Sequence, residues 1–245
     1  MPVSAKICIS LVSAAGIAAV AYALFDPPWS GNLARFAAYL LLSLVASTLK
    51  LRLPGLTGTM SVGFVFVLLG VAQLTLPETM TLACAGVVLQ CLWRAHPRPN
   101  AVQVGFSTAA VAVSLACAVQ GVQLVRDAWH TQAISIVMAV AASLYFVSNS
   151  LLVSGVLSLV KRQPFRAVWQ QCYLFAFPYY LLGGAIAGLM TAAARDSGWK
   201  ASLLILPVMG LIFLFYRIYV SRFMLQAATA PVNLAAMTGV KTRSA

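Results

Sequence analysis

Acid is what this chain has least of. Of its 245 residues only four are Asp or Glu, against sixteen Lys or Arg and two His. The acids, Asp26, Glu78, Asp127 and Asp196, stand singly. Enzymes that transfer polyprenyl or phospholipid groups normally hold magnesium around phosphates with paired carboxylates, and no such pair exists here. His96 and His130 fall in connectors on opposite sides of the threading derived below, so neither supplies the base of an intramembrane serine protease. No H-E-x-x-H is present. Cys8, Cys84, Cys91, Cys117 and Cys172 form no C-x-x-C and no His/Cys cluster, which points away from a metal or a disulfide framework. These absences lead to the expectation of a protein that is not an enzyme and holds no metal or cofactor.

Apolar residues fill the space that charge leaves: 62% of the chain is hydrophobic and 8% is charged. A soluble domain of this length has too little interior to hide that much apolar surface. A hydrocarbon core about 30 Å thick takes roughly 20 apolar residues per helix. Eight charge-poor runs of that order occur, at Ile7–Phe25, Phe36–Leu49, Thr59–Leu76, Thr79–Trp93, Ala101–Val125, Ala133–Val160, Cys172–Ala193 and Ala201–Ile218. The second and fourth are short enough to be half-helices or to thin the bilayer locally. Pro27, Pro28, Pro54, Gly55, Pro77, Pro97, Pro99 and Gly198 punctuate the connectors. Barrel strands would alternate polar and apolar, and these runs do not.

Charge placement tests the threading, because cytoplasmic loops retain an excess of Lys and Arg. With the N-terminus inside and eight spans, the inner segments hold Lys6, Lys50, Arg52, Arg94, Arg98, Lys161, Arg162, Arg166, Arg217, Arg222, Lys241 and Arg243. The outer segments hold Arg35, Arg126, Arg195 and Lys200 with all four acids. The expectation is an all-α, polytopic membrane bundle of about eight helices over residues 1–222, both termini inside, followed by a short cytoplasmic tail over 223–245. The net charge of +12 is then a topology signal plus attraction to anionic lipid, and no nucleic-acid partner is needed. Lys6, the apolar run and Ala21-Tyr22-Ala23 also fit a cleaved signal sequence, a second reading of the first span.

No Asp, Glu, Lys or Arg falls in the interior of a predicted span, which weighs against an ion-coupled pump. The polar residues at depth are Gln73, Gln90, Gln120, Gln123, Ser143, Ser148, Asn149 and Ser150. In "LYFVSNSLLVSG" the step Ser148-Asn149-Ser150 sits half-way along the charge-free stretch from His130 to Lys161. Three roles are open to Asn149: an interhelical hydrogen bond, a ligand contact, or a hinge. The seventh run opens with Tyr173, Phe175, Phe177, Tyr179 and Tyr180 around Pro178, read either as an interfacial aromatic belt or as a pocket opened by a proline kink. Gly184 and Gly188 make a small-residue face for internal packing or for a homo-oligomer. Before them, Phe165, Val168, Trp169 and Cys172 share one face, predicting a short amphipathic helix on the inner leaflet.

Several separated segments carry a resemblance: "LPGLTGTMSVGFVFVLLG" from Leu53, "LPETMTLACAGVVLQCLW" from Leu76, "YFVSNSLLVSG" from Tyr145, "VWQQCYLFAFPYYLLGGAIAGL" from Val168 and "LLILPVMGLIFLFYRIY" from Leu203. In order and local pattern they resemble the membrane-embedded, MASE-type sensor regions that precede HD-GYP or GGDEF domains in bacterial cyclic-di-GMP signalling proteins. Phe106-Ser107 and Asn149-Ser150 depart from the Phe-Asn and Asn-Thr pairs expected there. The residues after Arg222 hold no HD or GGDEF motif, so no output activity is implied.

The resemblance implies a multi-pass protein of the bacterial cytoplasmic (inner) membrane. The reading is a sensor-like module that binds a small or lipophilic ligand and signals through a cytoplasmic partner, with Ser148, Asn149, Ser150, Pro178, Tyr179 and Tyr180 lining the site. A transporter, or the substrate-binding subunit of one, is the alternative, and a ligand-free scaffold the third.

Overall fold

The computed structural model describes residues 2–25, 32–52, 59–95, 98–130, 133–173 and 177–203, with isolated helical positions between 207 and 218. The tail over 223–245 and most of the run Ala201–Ile218 lie outside the described residues, as do His96, Asp26 and the Pro54-Gly55 turn. The helices are α1 (Val3–Phe25), α2 (Leu33–Thr48), α3 (Phe64–Gln73), α4 (Leu76–Leu92), α5 (Ala101–Trp129), α6 (Ile134–Lys161), α7 (Phe165–Tyr173), α8 (Phe177–Ser197) and the single turn α9 (Trp199–Ser202). Between α2 and α3 stand two strands, β1 (Lys50–Arg52) and β2 (Thr59–Ser61), paired antiparallel with Leu51 opposite Met60.

Side chains set several helix starts. Asn32 accepts from the backbone N–H of Arg35 at 3.0 Å and opens α2. Glu78 reaches back to the N–H of Thr75 at 3.0 Å, with Pro77 in the first turn of α4, where a missing N–H costs nothing. Gln103 does the same for Asn100 at the start of α5. α5 and α6 end on left-handed residues, His130 and Arg162.

Among the described residues four helices, α1, α5, α6 and α8, are long and apolar enough to cross a membrane. The run expected as a third span, Thr59–Leu76, is corrected: its first residues form β2 and only ten make α3. At 1.5 Å per residue α3 is about 15 Å long, half the hydrocarbon thickness. It is the innermost element, with every residue from Phe64 to Gly70 buried. α2 and α4, at 16 and 17 residues, are short as expected. α1 is the outermost long helix: Ile7, Leu11, Ile17 and Leu24 are exposed although apolar, a surface suited to lipid and not to water.

The seventh run, Cys172–Ala193, covers the end of α7 and most of α8; residues 174–176, where the kink expected at Pro178 would lie, are outside the described residues, and Pro178 is the second residue of α8. Proline's fixed φ suits the first helical turn.

Neighbours fix the helix directions. α6 and α8 are antiparallel, since Tyr180 meets Tyr145 and Phe146 while Gly188 faces Met138. α3 runs with α8, Phe64 lying on Tyr180 and Gln73 reaching Thr191. α2 and α4 oppose α3: Tyr39 and Thr79 meet its far end, and Ser47 and Gln90 meet Gly63 and Ser61 at its start. α5 and α6 form an antiparallel hairpin in which Gly121 abuts Leu144. α1 clusters Cys8 and Val12 with Phe106 and Ala109, near the starts of both helices.

Charge is thereby sorted between the two ends of the bundle. One end carries Lys6, Lys50, Arg94, Arg98, Lys161, Arg162 and Arg166, and the other carries Glu78, Asp127 and Asp196 with Arg35, Arg126, Arg195 and Lys200.

Candidate functional site

The polar step of α6 divides by face. Ser150 is buried at 1% exposure, whereas Ser148 and Asn149 are half-buried. The Ser150 hydroxyl donates to the Val147 carbonyl at 3.0 Å, ordinary back-bonding within a helix. Its oxygen also accepts from the Trp169 indole N–H at 3.4 Å, the hydrogen bond that ties α7 to α6. The stretch from residue 150 to the end of α6 at Lys161 spans about 16 Å of helical rise. A helix lying flat at the level of Lys161 could not bring Trp169 so far back. α7 therefore folds back along the last turns of α6, burying Val168 and leaving Phe165, Arg166 and Gln170 exposed.

One turn above Asn149 and Ser150 stand Tyr145 and Phe146, which belong to an aromatic cluster. Tyr180 is its hub, with ring centroids 4.6 Å from Phe64, 5.1 Å from Phe146 and 6.1 Å from Tyr145. Tyr179 lies 5.1 Å from Phe64, and Phe177 lies 5.1 Å from Phe146. The pairs are tilted, the arrangement that ring quadrupoles favour. Of the residues expected to line a site, Ser150 and Tyr180 are thus buried in adjacent layers. Asn149, Ser148 and Tyr179 border them half-buried, and Pro178 is exposed at the start of α8.

Glycine makes the aromatic packing fit. A Cβ on Gly183 would come within 2.2 Å of the edge of the Phe64 ring. On Gly184 it would come within 3.0 Å of the Ala142 methyl, and on Gly188 within 3.5 Å of Met138. Gly184 is thus buried against α6, while Gly188 faces Met138 half-buried, so this part of the small-residue face packs within the chain.

A second polar constellation lies near the acid-bearing end. The Tyr39 hydroxyl donates to Gln73 Oε1 at 2.9 Å, the Gln73 amide donates to Thr191 Oγ1 at 3.3 Å, and Thr191 donates to the Ala187 carbonyl at 2.8 Å. Trp199 stands edge-on to Tyr39 at 6.3 Å. This chain joins α2, α3 and α8 across the core.

At the other end Ser61 donates to Gln90 Oε1 at 2.8 Å, and Ser47 packs between Gly63 and Gly86. The Lys50 ammonium donates to the Trp93 carbonyl, and Arg94 lies 5.8 Å from the Trp93 ring centroid, within cation–π range. Gln73 and Gln90 were legible as deep polar residues. Tyr39, Ser43 and Ser47 were not, although they recur on one helical face in "YLLLSLVAS". Gln120 and Gln123 are exposed on the outside of α5.

Among the described residues no three His, Cys, Asp or Glu side chains gather as a metal site. The features are consistent with a helical membrane protein that has a polar and aromatic interior. No protein-family model matches the chain, and neither does any curated protein or solved structure.

Proposed function

We propose that the protein is an integral membrane sensor-like module of the bacterial inner membrane that binds a small or lipophilic ligand beside Asn149 and signals through α7 to a cytoplasmic partner. The Trp169–Ser150 hydrogen bond carries this reading. Ser150 is the covalent neighbour of Asn149 and sits one turn from Phe146 and the Tyr180 cluster. A ligand that engages the Asn149 amide or displaces Tyr179 therefore acts one residue away from the contact that holds α7. α7 in turn presents exposed Phe165 and Arg166 at the basic end of the bundle, where a partner has access. The resemblance to MASE-type regions supports the same reading.

In this proposal the basic end is cytoplasmic, by the positive-inside bias. α1 leads outward and α2 inward. The β-ribbon and α3 lead outward again, α4 brings the chain back inward, and α5, α6, α8 and the run Ala201–Ile218 would add four further passes. Both termini then lie inside in this proposed eight-pass threading, in which α3 is the pass shorter than the hydrocarbon core.

A specific observation favours transport as the second reading. Transporter sites are commonly built where a helix is broken inside the bundle, and α3 is such a half-helix, with Gln73 at its end joined to Tyr39 and Thr191.

The test is thermal stability in nanodiscs, wild type beside Asn149→Ala, across a panel of lipids, quinones, vitamins and small organic solutes. A compound that raises the wild-type midpoint and leaves the variant unmoved supports the ligand reading. If no compound moves the wild type and the variant merely melts earlier, by the equivalent of about 1 kcal/mol, Asn149 is an interhelical contact and the protein a ligand-free scaffold.

A further inference from the structure

The α6–α7 corner is built more firmly than a solvated turn needs to be. The Gln163 N–H donates to the Ser158 carbonyl at 3.2 Å, and the Ser158 hydroxyl donates to the Gln163 carbonyl at 2.7 Å, closing the left-handed turn at Arg162 from both sides. Two further backbone bonds, from Ala167 and Val168 to the Pro164 carbonyl, start α7 at once. The corner therefore presents Lys161, Arg162 and Arg166 from a fixed frame, all three exposed.

Among the described residues no acid stands beside these cations. Of the four acids in the chain, Glu78, Asp127 and Asp196 stand at the opposite end of the bundle, and Asp26 follows the end of α1. Helix stabilisation accounts for only part of the arrangement. Lys161 and Arg162 complement the dipole at the end of α6, but Arg166 lies in the first turn of α7, where the dipole disfavours a cation. Beside them Phe165 is 40% exposed, an apolar ring at the level of the charges.

From this juxtaposition we infer that the α6–α7 corner docks the headgroup of an anionic phospholipid, with Lys161, Arg162 and Arg166 around the phosphate and Phe165 among the upper acyl carbons. Charge complementarity selects the occupant, because a rigid basic corner at the rim of an apolar bundle meets lipid phosphate before anything else. The consequence reaches inward. α7 carries both Arg166 and Trp169, so headgroup occupancy and the Trp169–Ser150 contact bear on the position of the same nine-residue helix. Anionic lipid thereby becomes a second input to the element proposed to signal.

The inference rests on the membrane reading and is independent of the ligand beside Asn149. Native mass spectrometry of the protein released from nanodiscs of phosphatidylcholine and phosphatidylglycerol reads it, with the wild type, the triple variant Lys161→Gln/Arg162→Gln/Arg166→Gln and an Arg98→Gln control. Each surface cation changes anionic-lipid affinity by about fivefold. The expected result is retained phosphatidylglycerol on wild type, reduced on the order of a hundredfold in the triple variant and by no more than about fivefold in the control. Inorganic phosphate should not displace it.

Equal retention by wild type and triple variant, or no preference over phosphatidylcholine, overturns the docking. Equal thermal midpoints in pure phosphatidylcholine establish that the variant folds, and Arg166→Gln alone repeats the comparison if it does not. Failure of the membrane reading would show separately, as release of the protein from native membranes by an alkaline wash.

Discussion

At the residue scale, the interior is held by contacts with little slack. Gly183→Ala forces a methyl against the edge of the Phe64 ring and, with α8 pinned by Tyr180, should destabilise by about 1–3 kcal/mol. Gly188→Ala meets Met138 only at ordinary contact distance and should be nearly neutral. Thermal melts in nanodiscs compare the two, and equal effects would mean that α8 shifts freely. Tyr39→Phe removes the donor to Gln73 and leaves that buried amide oxygen seeking a partner, a loss of about 1 kcal/mol in the same assay. Legibility at this scale was partial. Asn149, Ser150 and Gln73 stood out because each interrupts an apolar run, whereas Thr191 looked like one more small residue among alanines. Which polar groups would meet across helices was set by helix rotation and depth, and neither is written in a single run.

At the element scale, the long helices α1, α5 and α6 were legible because unbroken apolar length admits one solution in a bilayer. The stretch from Thr59 to Gln73 was not, since a continuous apolar run fits a strand or a helix equally well until its partners are known. Its partner is Lys50–Arg52, which the run itself does not contain. Pro178 was legible as a disruption of the run, and it stands at the second residue of α8. Its position gives a prediction. At the second residue of α8, where proline's fixed φ suits the helix, Pro178→Ala should change the melting midpoint by the equivalent of less than about 1 kcal/mol. A proline that shaped a kink would give a large change with altered packing of Tyr179 and Tyr180, visible in the near-ultraviolet circular dichroism.

At the scale of the whole molecule, sequence and fold meet in the sorting of charge. The helix directions were obtained from side-chain neighbours alone, yet they divide basic from acid-bearing ends as the positive-inside threading does. Single cysteines placed at Arg98, Lys161, Asp127 and Asp196 in a cysteine-free background test it in intact cells. A membrane-impermeant maleimide should label positions 127 and 196 and spare 98 and 161, and labelling of both sets would refute the proposed topology. The central claim is that occupancy beside Asn149 moves α7. The most direct measurement is the emission of Trp169 as the sole tryptophan, with Trp29, Trp93, Trp129 and Trp199 replaced by Phe, in nanodiscs titrated with the compound that most stabilises the protein. The account predicts that the emission maximum shifts as the site fills, and that Asn149→Ala abolishes the shift. Stabilisation by that compound with no change in Trp169 emission would contradict it, leaving a binding site with no path to α7.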